Sequence, residues 1–207
     1  MRNITRFFPL FLMFTAACGD VEGDDDHDHD HDHENEVITT VELAFTPQSG
    51  GSALVFTWAD PEDDGSPVID DIALTDGETY DVALSFLNEL EDPPEDITEE
   101  IGDEAEEHQV FFTGSGVQGP ATGTNANAVV EQAYGDSDGD GLPLGLDNIF
   151  ATLGTGSGEL TVTLRHVPEE NGSAVKVDGL AEDVASGGLG SIGGDTDVDV
   201  TFNIAVQ

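Results

Sequence analysis

From residue 37 onward the chain alternates between apolar and polar positions. Val41, Leu43 and Phe45 alternate with Glu42, Ala44 and Thr46, the period of two that marks a half-buried strand. Leu54, Phe56 and Trp58 repeat the pattern after a Gly/Ser turn over 47–52. Residues 60–67 are a loop rich in Asp, Gly and Pro. Ile69 to Leu74 predicts a short strand, and Tyr80, Val82, Leu84 and Phe86 predict a longer one. His108 to Thr113, Ala128 to Tyr134, Leu160 to Arg165 and Val175 to Val177 continue the series. Val198, Val200, Phe202, Ile204 and Val206 give the cleanest alternation at the end.

One stretch breaks this rhythm. Asp92-Pro93-Pro94-Glu95 combines a capping-type Asp, prolines suited to a first turn and carboxylates near the positive end of a helix dipole. Ile97, Ile101 and Ala105 then fall on one helical face, which predicts a short acidic helix from Glu95 to about Glu107, weakened at Gly102. Gly114 to Asn127 and Ala185 to Gly194 read as loops of small residues. The sum is roughly eight or nine short strands and one helix, without a βαβ rhythm. This predicts an all-β fold, an antiparallel β-sandwich of immunoglobulin-like or jelly-roll-like type with one short acidic helix.

The first 36 residues belong to a different regime. Arg2 and Arg6 precede the apolar run Phe7 to Phe14, and Thr15-Ala16-Ala17 supplies small residues before a cut, so 1–17 reads as a secretion signal. The apolar run is too short for a permanent spanning helix. Thr15-Ala16-Ala17-Cys18 resembles the lipobox of bacterial lipoproteins, although Thr15 departs from the preferred Leu. That resemblance implies lipidation at Cys18 and a bacterial cell-envelope location, at the outer membrane or on its periplasmic face, held by the lipid rather than by a spanning helix. The alternative is ordinary secretion with a free thiol. Residues 18–36 form a His/Asp-rich tether with too few apolar side chains to fold, and residues 37–207 form a single domain.

Charge narrows the list of partners. The chain carries 45 Asp and Glu against four Lys and Arg, a formal net charge of −41. Beyond the signal only Arg165 and Lys176 are basic. Such a surface repels nucleic acid and attracts cations. The same acidity also suits a protein that needs only solubility in salt.

Three groups of residues could exploit that attraction. His27, His29, His31 and His33 alternate with Asp in the tether, and imidazole is a common ligand for Zn²⁺-like ions. Asp136, Asp138 and Asp140, with Gly141 at position six and Asp147 at position twelve, match the spacing of a calcium loop. The shorter Asp replaces Glu at the last position, and a polar hairpin turn is the plain alternative. His108 and His166 each fall at the end of an apolar stripe, at the rim of the core, with Glu104 and Glu107 before the first and Glu169 and Glu170 after the second. If those strand ends are neighbours, two imidazoles and a carboxylate could hold a divalent ion; otherwise they are rim histidines bonded to backbone or carboxylate. No nucleophile motif, Gly-rich phosphate loop or distinctive carboxylate pair is present, so no enzyme is expected.

The segments Phe86-Leu87-Asn88-Glu89, 94–101, Glu107 to Phe112 and Leu160 to His166 resemble a family of small bacterial lipoproteins labelled "type 1 periplasmic binding fold superfamily protein". The resemblance spans most of residues 37–207 and includes the surroundings of both His108 and His166. The label implies a two-lobed α/β fold, whereas the alternation argues for an all-β one. The expected function is a lipid-anchored envelope protein that binds divalent ions, Zn²⁺-like through His and Ca²⁺ through the Asp loop, and passes them to an outer-membrane protein partner. The alternative is an acidic surface interaction or adhesion module with only structural calcium.

Overall fold

A computed structural model describes residues 36–170, 173 and 175–207. The secretion signal, Cys18 and His27, His29, His31 and His33 lie outside the described residues. The strands are β1 (Thr40–Pro47), β2 (Leu54–Ala59), β3 (Val68–Ile69), β4 (Ile72–Leu74), β5 (Thr79–Asn88), β6 (Glu95–Asp96), β7 (His108–Thr113), β8 (Val117–Gln118), β9 (Val130–Tyr134), β10 (Asp147–Thr152), β11 (Gly156–His166) and β12 (Asp195–Val206). Two helices accompany them, α1 (Ile97–Asp103) and α2 (Leu180–Gly187).

The strands form two sheets. One runs β3-β2-β1-β5-β10-β9-β8 with β6 added beside β5; the other runs β4-β12-β11-β7. Alternation delivers Val41, Leu43 and Phe45 from β1, Tyr80, Val82, Leu84 and Phe86 from β5, and Val198, Val200, Phe202, Ile204 and Val206 from β12 into one shared core. Phe112 of the second sheet meets Phe150 of the first edge-to-face, with centroids 5.4 Å apart at 81°.

The β-rich expectation holds, and its details are corrected at several points. The sheets are mixed: β4 runs parallel to β12, and β8 runs parallel to β9. The predicted strand Ile69 to Leu74 is two strands in different sheets. Asp70 and Asp71 divide it. Asp70 exchanges backbone and side-chain hydrogen bonds with Thr57 of the first sheet, while Asp71 accepts from Asn203 of the second. Among the described residues there are also two helices rather than one. Leu180, Ala181 and Val184 of α2 cover Phe111, which β7 turns away from the shared core, and Gly188 ends that helix at φ 75°.

The acidic helix forms, but Asp96 rather than Asp92 caps it, accepting from the Thr98 N–H at 3.1 Å. Glu95 and Asp96 pair with Asn88 and Leu87 before the helix begins. Ile97 and Ile101 anchor it in the core. It stops before Glu104, whose backbone leaves helical geometry at ψ 34°, and a short 3-10 turn over Ala105–Glu107 leads into β7. Strand β10 carries no clean alternation because one of its inward positions is Asn148, which is bonded to the Gly145 carbonyl and to Gln132. The stretch Val175 to Val177 forms no strand.

Candidate metal centre

Strand register decides where the two domain histidines meet. In the antiparallel pairing of β7 with β11, Val162 faces Phe112, Leu164 faces Val110, and His166 faces His108. The next N–H along, from Val167, bonds to the Glu107 carbonyl at 2.6 Å. His108 and His166 are therefore a non-hydrogen-bonded cross-strand pair, the kind whose side chains approach most closely. Their rings stack with centroids 4.8 Å apart and planes 12° from parallel. Glu104 joins them from the break after α1, and one ligand atom from each of the three lies within 4.8 Å of the others. Among the described residues this is the one such group of three or more His, Cys, Asp or Glu side chains.

His108 is fully buried. Its Nδ1 lies 3.2 Å from the Glu104 carbonyl oxygen, which can only accept. Nδ1 therefore carries the proton, and Nε2 keeps a bare lone pair that is buried and has no hydrogen-bond partner. Burial pushes the imidazole pKa down to about 4, with His166 and Lys176 adding to the effect and the Glu104 carbonyl and Glu107 opposing it. At neutral pH the ring is neutral and able to ligate. A backbone carbonyl that fixes the tautomer in this way is the usual outer support of a metal-binding histidine. Nε2 of His166 lies 3.4 Å from Oε2 of Glu107.

Two further carboxylates crowd the cluster. In the pairing of β11 with β12, Leu164 faces Val198 but Arg165 faces Thr196, so Asp197 is the extra residue of a bulge. Bulges re-aim side chains, and here both carboxylate oxygens of Asp197 are buried without a hydrogen bond of normal geometry. Burial, aided by Asp195, raises the Asp197 carboxyl pKa to about 6 against the pull of His166, the Glu36 N–H and Arg165. Glu36 is raised to about 7 by burial and then by Glu100, Asp197 and Glu104. The pattern is one of negative charge without a local cation. Arg165 donates to Thr196 Oγ1 at 2.7 Å and to the carbonyls of Gly193 and Gly194, so it relieves Asp197 only at a distance.

The calcium-like loop is arranged differently. Asp136 accepts from the N–H groups of Gly145, Leu146 and Asp147 at 2.7–2.9 Å. Asp138 accepts from Asp140 and Leu142 through one oxygen and pairs its other oxygen with Lys176 at 2.8 Å. The Lys176 ammonium also donates to the Ala105 carbonyl at 2.6 Å, and both partners of this ion pair are buried. Asp140 and Asp147 are exposed. Lys176 and Asp197, which matter most to these two regions, carried no spacing signal: one is a lone lysine near a loop, the other an Asp in an alternating strand.

A cavity of about 580 Å³ near α2, bordered by Thr113, Ala121, Asn125, Val184 and Leu189, has no titratable side chain in its lining. No helix among the described residues is long and apolar enough to cross a membrane. No family model, curated protein or solved structure matches this chain.

Proposed function

We propose that this is a lipid-anchored envelope protein whose β domain binds a divalent transition metal of the Zn²⁺ class through His108, His166 and Glu104. The observation that carries this reading is the bare, buried Nε2 of His108, held in its ligating tautomer beside a second imidazole and a carboxylate. Two imidazoles and one carboxylate suit a borderline ion better than Ca²⁺ or Mg²⁺, which prefer an all-oxygen shell. Three protein ligands leave a fourth position open, which suits reversible binding and transfer to an outer-membrane partner. The parallel rings must splay on loading, because imidazole lone pairs lie in the ring plane and must converge on one ion about 2.1 Å away. We read the two sheets as a β-sandwich of immunoglobulin-like or jelly-roll-like kind. The lipobox resemblance at Cys18 and the likeness to small bacterial lipoproteins fit the envelope location.

A second reading has its own support. Leu54 and Val55 of β2 and Val68 and Ile69 of β3 are each exposed on the last two strands at one end of the larger sheet, apolar side chains that an interaction or adhesion module could use. In that case calcium at Asp136, Asp138, Asp140 and Asp147 would be structural.

Equilibrium dialysis against micromolar Zn²⁺ separates the two. The form beginning at residue 18, with Cys18→Ser and all four tether histidines changed to alanine, is expected to retain one ion per chain. Adding His108→Gln and His166→Gln is expected to abolish retention. If the first protein retains none, the metal reading is overturned.

A further inference from the structure

We propose that the Asp136–Asp147 loop braces the metal centre: its buried Lys176–Asp138 pair clamps the Ala105 carbonyl and so holds Glu104 and His108 in ligating geometry. This rests on the metal reading above and makes Lys176 and Asp138 positioning residues, not ligands.

Two of the three ligands hang on the short link between α1 and β7. The chain leaves α1 at Glu104, makes the 3-10 turn Ala105–Glu107 and enters β7 at His108. The Glu104 carbonyl accepts from the Glu107 N–H at 2.8 Å and from His108 Nδ1 at 3.2 Å, which occupies both of its lone pairs. The next carbonyl belongs to buried Ala105, and so short a turn leaves its carbonyls in need of outside donors. Lys176 is that donor, with Nζ 2.6 Å from the Ala105 oxygen and 2.8 Å from Oδ2 of Asp138. A buried ammonium is tolerable only when paired and hydrogen-bonded, so the clamp allows little play. The loop fixes Asp138 in turn, through the Asp140 and Leu142 N–H groups on Oδ1. It also reaches the turn and β7 directly. A Cβ on Gly139 would lie 2.8 Å from Oε1 of Glu106, and the Leu144 carbonyl accepts from the Val110 N–H at 2.8 Å. Without the clamp, the turn can rotate the Glu104 carbonyl away from Nδ1. The His108 proton is then free to move to Nε2, the nitrogen that must be bare to ligate.

The test uses the same form, beginning at residue 18 with Cys18→Ser and the four tether histidines changed to alanine, as the parent. Lys176→Met with Asp138→Leu removes both charges together, a replacement that buried pairs often tolerate, so urea midpoints are expected to stay near the parent's. Nitrogen NMR of the metal-free proteins reports which ring nitrogen of His108 carries the proton, and competition with a chromophoric chelator reports Zn²⁺ affinity. The parent is expected to hold the proton on Nδ1. The double variant is expected to share it between both nitrogens and to bind Zn²⁺ about 10-fold more weakly. If the double variant does not fold, Lys176→Met alone, kept folded by an excluded osmolyte, is read in the same way. A folded variant with the proton still on Nδ1 and Zn²⁺ affinity within about twofold of the parent overturns the proposal, while the metal reading stands. A parent that binds no Zn²⁺ overturns both.

Discussion

The Asp136–Asp147 loop and the Glu104–His108–His166 cluster are both dense in acidic residues, yet they neutralise their charge by opposite means. In the loop, backbone N–H groups take up the oxygens of Asp136, and Lys176 sits against Asp138 in a buried pair. An ammonium stands where a bound cation would have to compete for the same oxygen. At the cluster, Asp197 has no normal hydrogen bond, Glu36 and Asp197 are pushed toward protonation, and His108 Nε2 has no partner. A motif's spacing reports which ligands could gather, while the counter-charges already present decide whether an external ion is called for.

The largest effect should come from removing the internal cation. Lys176→Met leaves Asp138 buried and unpaired, which costs about 3–5 kcal/mol for a broken buried pair; urea unfolding measures it. A loss below about 1 kcal/mol would mean that the ammonium does not hold the loop. The same titration in millimolar CaCl₂ sharpens the comparison. The parent protein should show no shift of its midpoint, whereas a calcium-dependent rise would restore the loop as a calcium site.

The cluster should be exposed by pH in the chelator-treated protein. Asp197 and Glu36 have folded pKa values of about 6 and 7, above those of ordinary carboxyls. The folded state binds their protons more tightly than the unfolded chain does, so the stability they contribute is present at low pH and is lost as pH rises through 6 and 7. His108 works in the other direction. With a folded value near 4, its contribution is complete above the unfolded value of about 6.5 and is lost as pH falls toward 4. The two carboxyls together outweigh His108 below pH 6, so denaturation midpoints in chelator should fall from pH 4.5 to about pH 7 and level off above it, and a rise over that range would contradict the assignment. Asp197→Asn should raise the midpoint at pH 8 and weaken Zn²⁺ binding by about 10-fold. Unchanged Zn²⁺ affinity in that variant would separate Asp197 from the site.

The smallest effects are expected in the exposed half of the loop. Asp140→Asn and Asp147→Asn should each change stability by less than about 0.5 kcal/mol, as surface substitutions usually do. A larger loss that calcium modulates would favour the second reading.

The meeting of His108 with His166 was legible because strand parity put both at the ends of apolar stripes, and the register of β7 on β11 then needed no irregularity between them. Glu104 was legible as a neighbour of His108. The tautomer was not, because it depends on where the chain breaks after α1 and aims the Glu104 carbonyl. Asp197 was hidden for a related reason: alternation assigns it to the polar face of β12, and only a bulge in the register turns it toward His166. The Lys176–Asp138 pair joins residues far apart in sequence, which no local spacing encodes. Helix α2 escaped notice because its apolar residues, Leu180, Ala181 and Val184, are few and run into Gly187 and Gly188.

The most direct measurement is an anomalous-difference map at the zinc edge from crystals grown with stoichiometric Zn²⁺. One peak is expected about 2.1 Å from His108 Nε2, bonded also to His166 and Glu104, with the two rings splayed and no peak in the Asp136–Asp147 loop. Zinc in the loop with His108 and His166 still stacked would contradict the account.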